Sequence, residues 1–203
     1  NDNRTGILLD AGGTFTGDIF LDTPANVNVF GDMSAGVRIL GNLAGGMQLD
    51  GNFDIDGENS QAVNISGNVS GDVIFGDAAN INVDGVGSSG ILVDGAAGGS
   101  IDGAFVFGGI MQVRAYTDTV PDPEDDEDND NDIQEARQSG AAIDISGDIG
   151  GGILINGPVP PGQLPEAEEG EEAPVNPVIS SILVQGSSPA ISISGGASIG
   201  LVD

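Results

Sequence analysis

Four aspartates at alternate positions, Asp126, Asp128, Asp130 and Asp132, have the type and spacing most suited to chemistry in this 203-residue chain. Alternate carboxylates can wrap a hard cation that takes about six to eight oxygen ligands, as at the opening of a calcium loop. The match is partial. Counting from Asp126, the sixth position is Asn131 where such a loop has Gly, and the twelfth is Arg137 where it has Glu. Two readings stand beside each other: a solvated acidic loop with diffuse counterions, and Ca2+ held between this run and a second acidic stretch.

Absent residue types remove whole reaction classes. The chain has no His, Cys, Trp or Lys, and its cations are Arg4, Arg38, Arg114 and Arg137. Without His there is no imidazole base, no Ser-His-Asp triad and no His-ligated metal. Without Cys there is no thiolate, disulfide or iron–sulfur cluster. Without Lys there is no Schiff base or phosphate-loop lysine. Carboxylate and hard-cation chemistry survive. A formal net charge of −28 repels nucleic acid and anionic membranes and attracts divalent cations. No apolar run approaches the ~20 residues needed to span a bilayer.

Other candidate groups read as structural. Asp10, Asp22, Asp50, Asp84 and Asp94 close apolar segments without the G-G-x-G-x-D pattern of a calcium β-roll, so corner capping is expected. Carbohydrate-active enzymes work with grouped carboxylates. Arg38 and Arg114 lie inside apolar segments, and no Asp pair falls at equivalent positions beside either on the coil length inferred below. No catalytic residue is therefore expected. Thr is too scarce for an ice-binding ladder. The seven phenylalanines read as core or edge fillers, since a sugar-stacking track would include Trp and Tyr and only Tyr116 is present.

The elements that position these groups are short and repeated. An apolar-x-apolar triplet followed by a Gly corner recurs about every ten residues: Val27-x-Val29 before Gly31, Val37-x-Ile39 before Gly41, Met47-x-Leu49 before Gly51. It returns at Val63, Ile81, Ile91, Ile143, Ile153, Ile182 and Ile191. Period-two alternation marks strands, and a fixed repeat marks a solenoid. The spacing predicts an all-β parallel β-helix with 16–20 residues per rung and two main strands per coil, or three sides where a short third strand hides in a Gly-rich corner. About eight or nine rungs would then make a rod roughly 40 Å long. One strand set begins at Ile7, Val27, Met47, Val63, Ile81 and Ile101, the other at Ile19, Val37, Phe53, Val73, Ile91 and Ile110. Gly-Asn and Gly-Asp pairs after strands, such as Gly41-Asn42 and Gly67-Asn68, suit either stacked amide ladders or left-handed backbone, the latter being the plainer reading.

Residues 1–203 read as one solenoid domain with acidic insertions at 115–140 and 158–178. Eight of the nine glutamates fall in these two stretches, which lack apolar periodicity and read as loops. On the two-set assignment both would leave the same corner of consecutive rungs. The chain opens and stops inside the repeat, at Ile7-Leu8-Leu9-Asp10 and Leu201-Val202-Asp203, so it is expected to be an excerpt of something longer.

The Gly-rich cassettes, the acidic loop and the stretches Ala141–Ile153 and Ile182–Ile193 together resemble autotransporter passenger domains of Gram-negative bacteria. The likeness covers most of the chain as a style of repeat. It implies a secreted right-handed β-helix at the cell surface, attached to the outer membrane through a β-barrel beyond Asp203. Passengers include adhesins, proteases and esterases. No enzymatic motif carries over by residue, so the expectation is a stalk or adhesin without catalytic activity, facing a surface ligand or polysaccharide. The rivals are a filament or surface-layer subunit that assembles through its solenoid ends, and a polysaccharide-active enzyme.

Overall fold

A computed structural model describes residues 2–115, 139–155, 180–185 and 188–201. The first coil places Thr5–Leu9 (β1), Thr14–Thr16 (β2), Ile19–Leu21 (β3) and Asn26–Phe30 (β4) on four successive sides. The second repeats the circuit with Ala35–Ile39 (β5), Asn42–Ala44 (β6), Met47–Leu49 (β7) and Asn52–Asp56 (β8). The third uses Gln61–Ile65 (β9), Asn68–Val69 (β10), Val73–Phe75 (β11) and Asn80–Asp84 (β12). The fourth uses Ser89–Val93 (β13), Ser100–Ile101 (β14), Phe105–Phe107 (β15) and Ile110–Arg114 (β16). Ile143–Ile145 (β17), Ile153–Ile155 (β18), Ser181–Val184 (β19) and Ile191–Ile193 (β20) extend the stack.

Stacking these circuits gives four parallel sheets. Sheet A runs β1-β5-β9-β13-β17-β20 and sheet B runs β2-β6-β10-β14. Sheet C runs β3-β7-β11-β15-β18 and sheet D runs β4-β8-β12-β16-β19. Single bridges from Ile101 to Ile149 and from Ile149 to Ile199 continue sheet B. The expected parallel, all-β solenoid is therefore the fold.

The expected coil is not. Partners on sheet A are Ile7 with Val37, Val37 with Val63 and Val63 with Ile91, which are steps of 30, 26 and 28 residues. Each coil has four strands where two were expected. The six strands of sheet A span about 24 Å at ~4.8 Å per step, shorter than the expected rod. The two-set assignment fails with it. Ile7 and Val63 belong to sheet A, but Val27 and Ile81 lie on sheet D and Met47 on sheet C. The sides look alike in sequence because alternation on sheets A, C and D turns two apolar residues inward per strand, whatever side they occupy.

The inward residues form one continuous core. Val37, Ile39, Leu49, Phe53, Ile65, Phe75, Ile91, Phe105 and Phe107 are wholly buried. Phe75 packs obliquely on both Phe105 and Phe107, with ring centroids 6.0 and 5.9 Å away.

The corner from sheet D to sheet A repeats one device. Gly31, Gly57 and Gly85 open it with φ of 133°, 155° and 155°. Two residues later the backbone turns left-handed at Met33, Asn59 and Gly87, with φ of 54°, 52° and 70°. The next residue is a buried serine: Ser34, Ser60 or Ser88. Each hydroxyl accepts a backbone N–H from the coil before it, Arg4 to Ser34 at 2.9 Å, Ser34 to Ser60 at 3.0 Å and Ser60 to Ser88 at 2.9 Å. Ser60 and Ser88 donate in turn to the carbonyls of Gly31 and Gly57 at 3.1 and 2.7 Å. Buried backbone groups at the bend are thus satisfied by a ladder of hydroxyls.

The Asn and Asp of the described Gly-Asn and Gly-Asp pairs are not left-handed. Among the described residues, positive φ outside glycine occurs at Asn3, Met33 and Asn59. Asn52 Nδ2 instead donates to Asn26 Oδ1 at 3.1 Å in the preceding coil, and Ser100 Oγ donates to Asn68 Oδ1 at 2.7 Å. The first is an amide-to-amide rung of the kind expected of a ladder, and the second is a hydroxyl-to-amide contact.

The two insertions leave different corners, against expectation. The first separates β16 of sheet D from β17 of sheet A, and the second separates β18 of sheet C from β19 of sheet D. Their flanking strands place them at opposite ends of sheet D. Sheet A keeps its register across both, pairing Ile91 with Ile143 and Ile143 with Ile191.

Candidate functional site

Asp126, Asp128, Asp130 and Asp132 lie outside the described residues, so the calcium-loop reading rests on their spacing alone. Among the described residues, no group of three or more carboxylates is arranged to hold a metal ion.

The aspartates expected to cap corners do so in several places. Asp10 and Asp22 accept the next backbone N–H, from Ala11 and Thr23, each at 2.8 Å. Asp94 caps the short turn Gly95–Ala97 through Ala96 and Ala97. Four other aspartates reach across to the following coil. Asp18, Asp32, Asp72 and Asp148 accept backbone N–H groups of Gly46, Glu58, Ala104 and Ser198 at 2.7–2.8 Å. Their recurrence is visible only once the coil length is known.

Sheet D carries an acidic column that the shorter coil concealed. Phe30, Asp56, Asp84 and Arg114 are register partners on successive strands. Contrary to expectation, an Asp pair on adjacent coils therefore leads to Arg114, at steps of 28 and 30 residues that a rung of 16–20 does not bring together. Arg114 Nε meets Asp84 Oδ1 at 2.9 Å and Nη2 meets Oδ2 at 3.0 Å. Asp56 has no such neighbour among the described cations. Reduced hydration, then the carboxylates of Asp84, Asp54 and Asp32, raise its pKa above the ordinary carboxylate value. The guanidinium is engaged by Asp84, so one carboxylate of the column is paired and Asp56 is not.

Sheet C presents the opposite chemistry. Its three-residue strands turn one side chain outward each, giving the register column Phe20, Gln48, Ile74, Val106, Leu154. Four of these five are apolar, and Phe20 and Leu154 are 65% and 39% exposed. The equivalent central column of sheet D runs Asn28, Asp54, Asn82, Gln112, Leu183. A trough of about 310 Å³ follows the start of sheet C, floored by Phe20, Gln48 and Ile74 and walled by Asp18 and Asp72. On the other flank Asp50 accepts from Gln48 Nε2 at 2.7 Å through Oδ2. Its Oδ1 is buried and has no hydrogen-bond partner.

Phe53, Phe75, Phe105 and Phe107 are the core fillers expected, whereas Phe20 and Phe30 point to solvent. Alternation within their strands places both outward, a signal available only when inward and outward sets are known. The chain matches no protein-family profile, no curated protein and no solved structure.

Proposed function

We propose that this chain is an extracellular structural and adhesive β-solenoid, a stalk or adhesin segment displayed on a Gram-negative surface and working by extension and presentation, without catalysis. The observation that carries the reading is the persistence of sheet A. Its register passes from Ile91 to Ile143 to Ile191 although the steps are 52 and 48 residues long. The register of the stack is kept on either side of both insertions, which suits a rod built to carry added segments between its coils. The resemblance to autotransporter passengers supports the same setting, with attachment through a segment outside these residues.

Protease treatment of intact source cells tests the proposal. Loss of the protein from whole cells, with a periplasmic marker retained, is the expected result. Survival until the outer membrane is opened would overturn surface display.

A second reading, assembly through the solenoid ends, has its own support. Ile193 is 53% exposed, whereas its direct partner Ile145 is wholly buried. Exposed edge strands with apolar inward residues can accept further strands. Concentration-dependent fibres in sedimentation would favour it.

A further inference from the structure

We infer that the outer face of sheet C is a docking strip for a short, basic, amphipathic polypeptide segment of a partner protein. The strip is the apolar column of Phe20, Ile74, Val106 and Leu154, with Gln48 between the first two. Apolar side chains concentrated on one outward column of a four-sided rod are not needed for its core and mark an interaction surface.

Charge selects the partner. Asp18 and Asp72 border the trough on one flank, and Asp22 and Asp50 border the face on the other. Asp18 and Asp72 are pinned by the backbone N–H groups of Gly46 and Ala104, so they cannot swing away from the rim. The described cations lie elsewhere: Arg4 and Arg38 at sheet A, Arg114 on sheet D. A ligand with an apolar centre and positive flanks meets all of these features. Lys and Arg can lay aliphatic stems along Phe20 and Ile74 while their heads reach the carboxylates. An anionic ligand is repelled.

Geometry suits a helix lying along the rod. Outward residues repeat every ~4.8 Å along the column. An apolar helix stripe repeats every ~5.4 Å. The two periods stay close over the five rungs of sheet C. A second copy of this chain fits less well, because facing strips would bring two acidic rims together.

The inference rests on the surface-display reading for its setting alone: peptide binding in solution can fail while display holds, and the reverse. The probe is a synthetic 14-residue helix with leucines on one face and lysines on its flanks, titrated into the full chain by fluorescence anisotropy. A Lys/Ser peptide of equal charge controls for diffuse attraction to the acidic chain. Phe20→Ser and Ile74→Ser remove the strip without changing charge, and Asp54→Asn with Asp56→Asn removes two negative charges from sheet D while leaving the strip intact. Melting temperatures verify that every variant folds, and Phe20 is exposed enough for its replacement to be tolerated.

The expected result is at least tenfold weaker binding for the sheet C variants, little change for the sheet D variant, and weak binding of Lys/Ser throughout. Equal affinity of all variants would overturn the inference, as would equal affinity for the two peptides. Two other outcomes would also overturn it: binding of a neutral hexose oligosaccharide, but not the peptide, at the same face, or self-association that Phe20→Ser abolishes.

Discussion

Arg114 and Asp84 meet across adjacent coils through two parallel contacts, Nε to Oδ1 at 2.9 Å and Nη2 to Oδ2 at 3.0 Å. Their side chains are 29% and 28% exposed, so the pair is partly shielded from solvent. Fork geometry favours guanidinium over ammonium here. Arg114→Gln is expected to cost about 1 kcal/mol in denaturant unfolding, with Arg114→Lys recovering only part. No loss for either variant would make the contact energetically silent.

Asp56, one coil before Asp84, titrates in the opposite sense to a stabilised carboxylate. Its folded pKa lies above the ordinary value of 3.8. The folded state therefore holds the proton more tightly than the unfolded chain, and stability falls as pH rises from 3.8 through the raised pKa. Asp56→Asn should raise the melting temperature at pH 7 and flatten this part of the pH profile. An unchanged profile would mean that neither the reduced hydration of Asp56 nor repulsion from Asp84, Asp54 and Asp32 raises its pKa.

Ser60 holds the middle of the corner ladder. Ser60→Ala removes the acceptor for the buried Ser34 N–H and the donor to the Gly31 carbonyl. An orphaned buried group costs about 1–3 kcal/mol, and a loss of that size is expected in urea unfolding. Ser→Ala at an exposed position such as Ser70 should cost far less, and equal losses would deny the ladder its role.

Phe75 and Phe30 separate core from surface by more than residue type. Phe75 is wholly buried against Phe105 and Phe107, so Phe75→Ala should cost about 3–5 kcal/mol. Phe30 lies on the outward column of sheet D, and Phe30→Ser should stay within about 0.5 kcal/mol. Similar losses at both sites would place Phe30 inside the core.

The strands and their stacking were legible because apolar alternation survives in sequence. The coil was misread because sheet B leaves almost no signal. Its strands turn a single apolar residue inward, Leu43 in β6, Val69 in β10 and Ile101 in β14, so no apolar pair announces them. With one side hidden, the remaining three sides passed as two. That error hid the Asp56–Asp84–Arg114 column, whose members stand 28 and 30 residues apart, and also the serines of the repeated corner. The outward apolar column of sheet C was hidden similarly, since Phe20, Ile74 and Leu154 look like core residues until each strand's inward face is fixed.

Single-molecule extension of the chain, held at its two ends, tests most directly the claim that stacked coils bear load. Residues 5–114 should give way under force in successive releases of about 90–105 Å, the contour of a 26–30-residue coil at ~3.5 Å per residue. Extension without resistance would contradict a structural role, and releases of about 55–70 Å would contradict the four-sided coil.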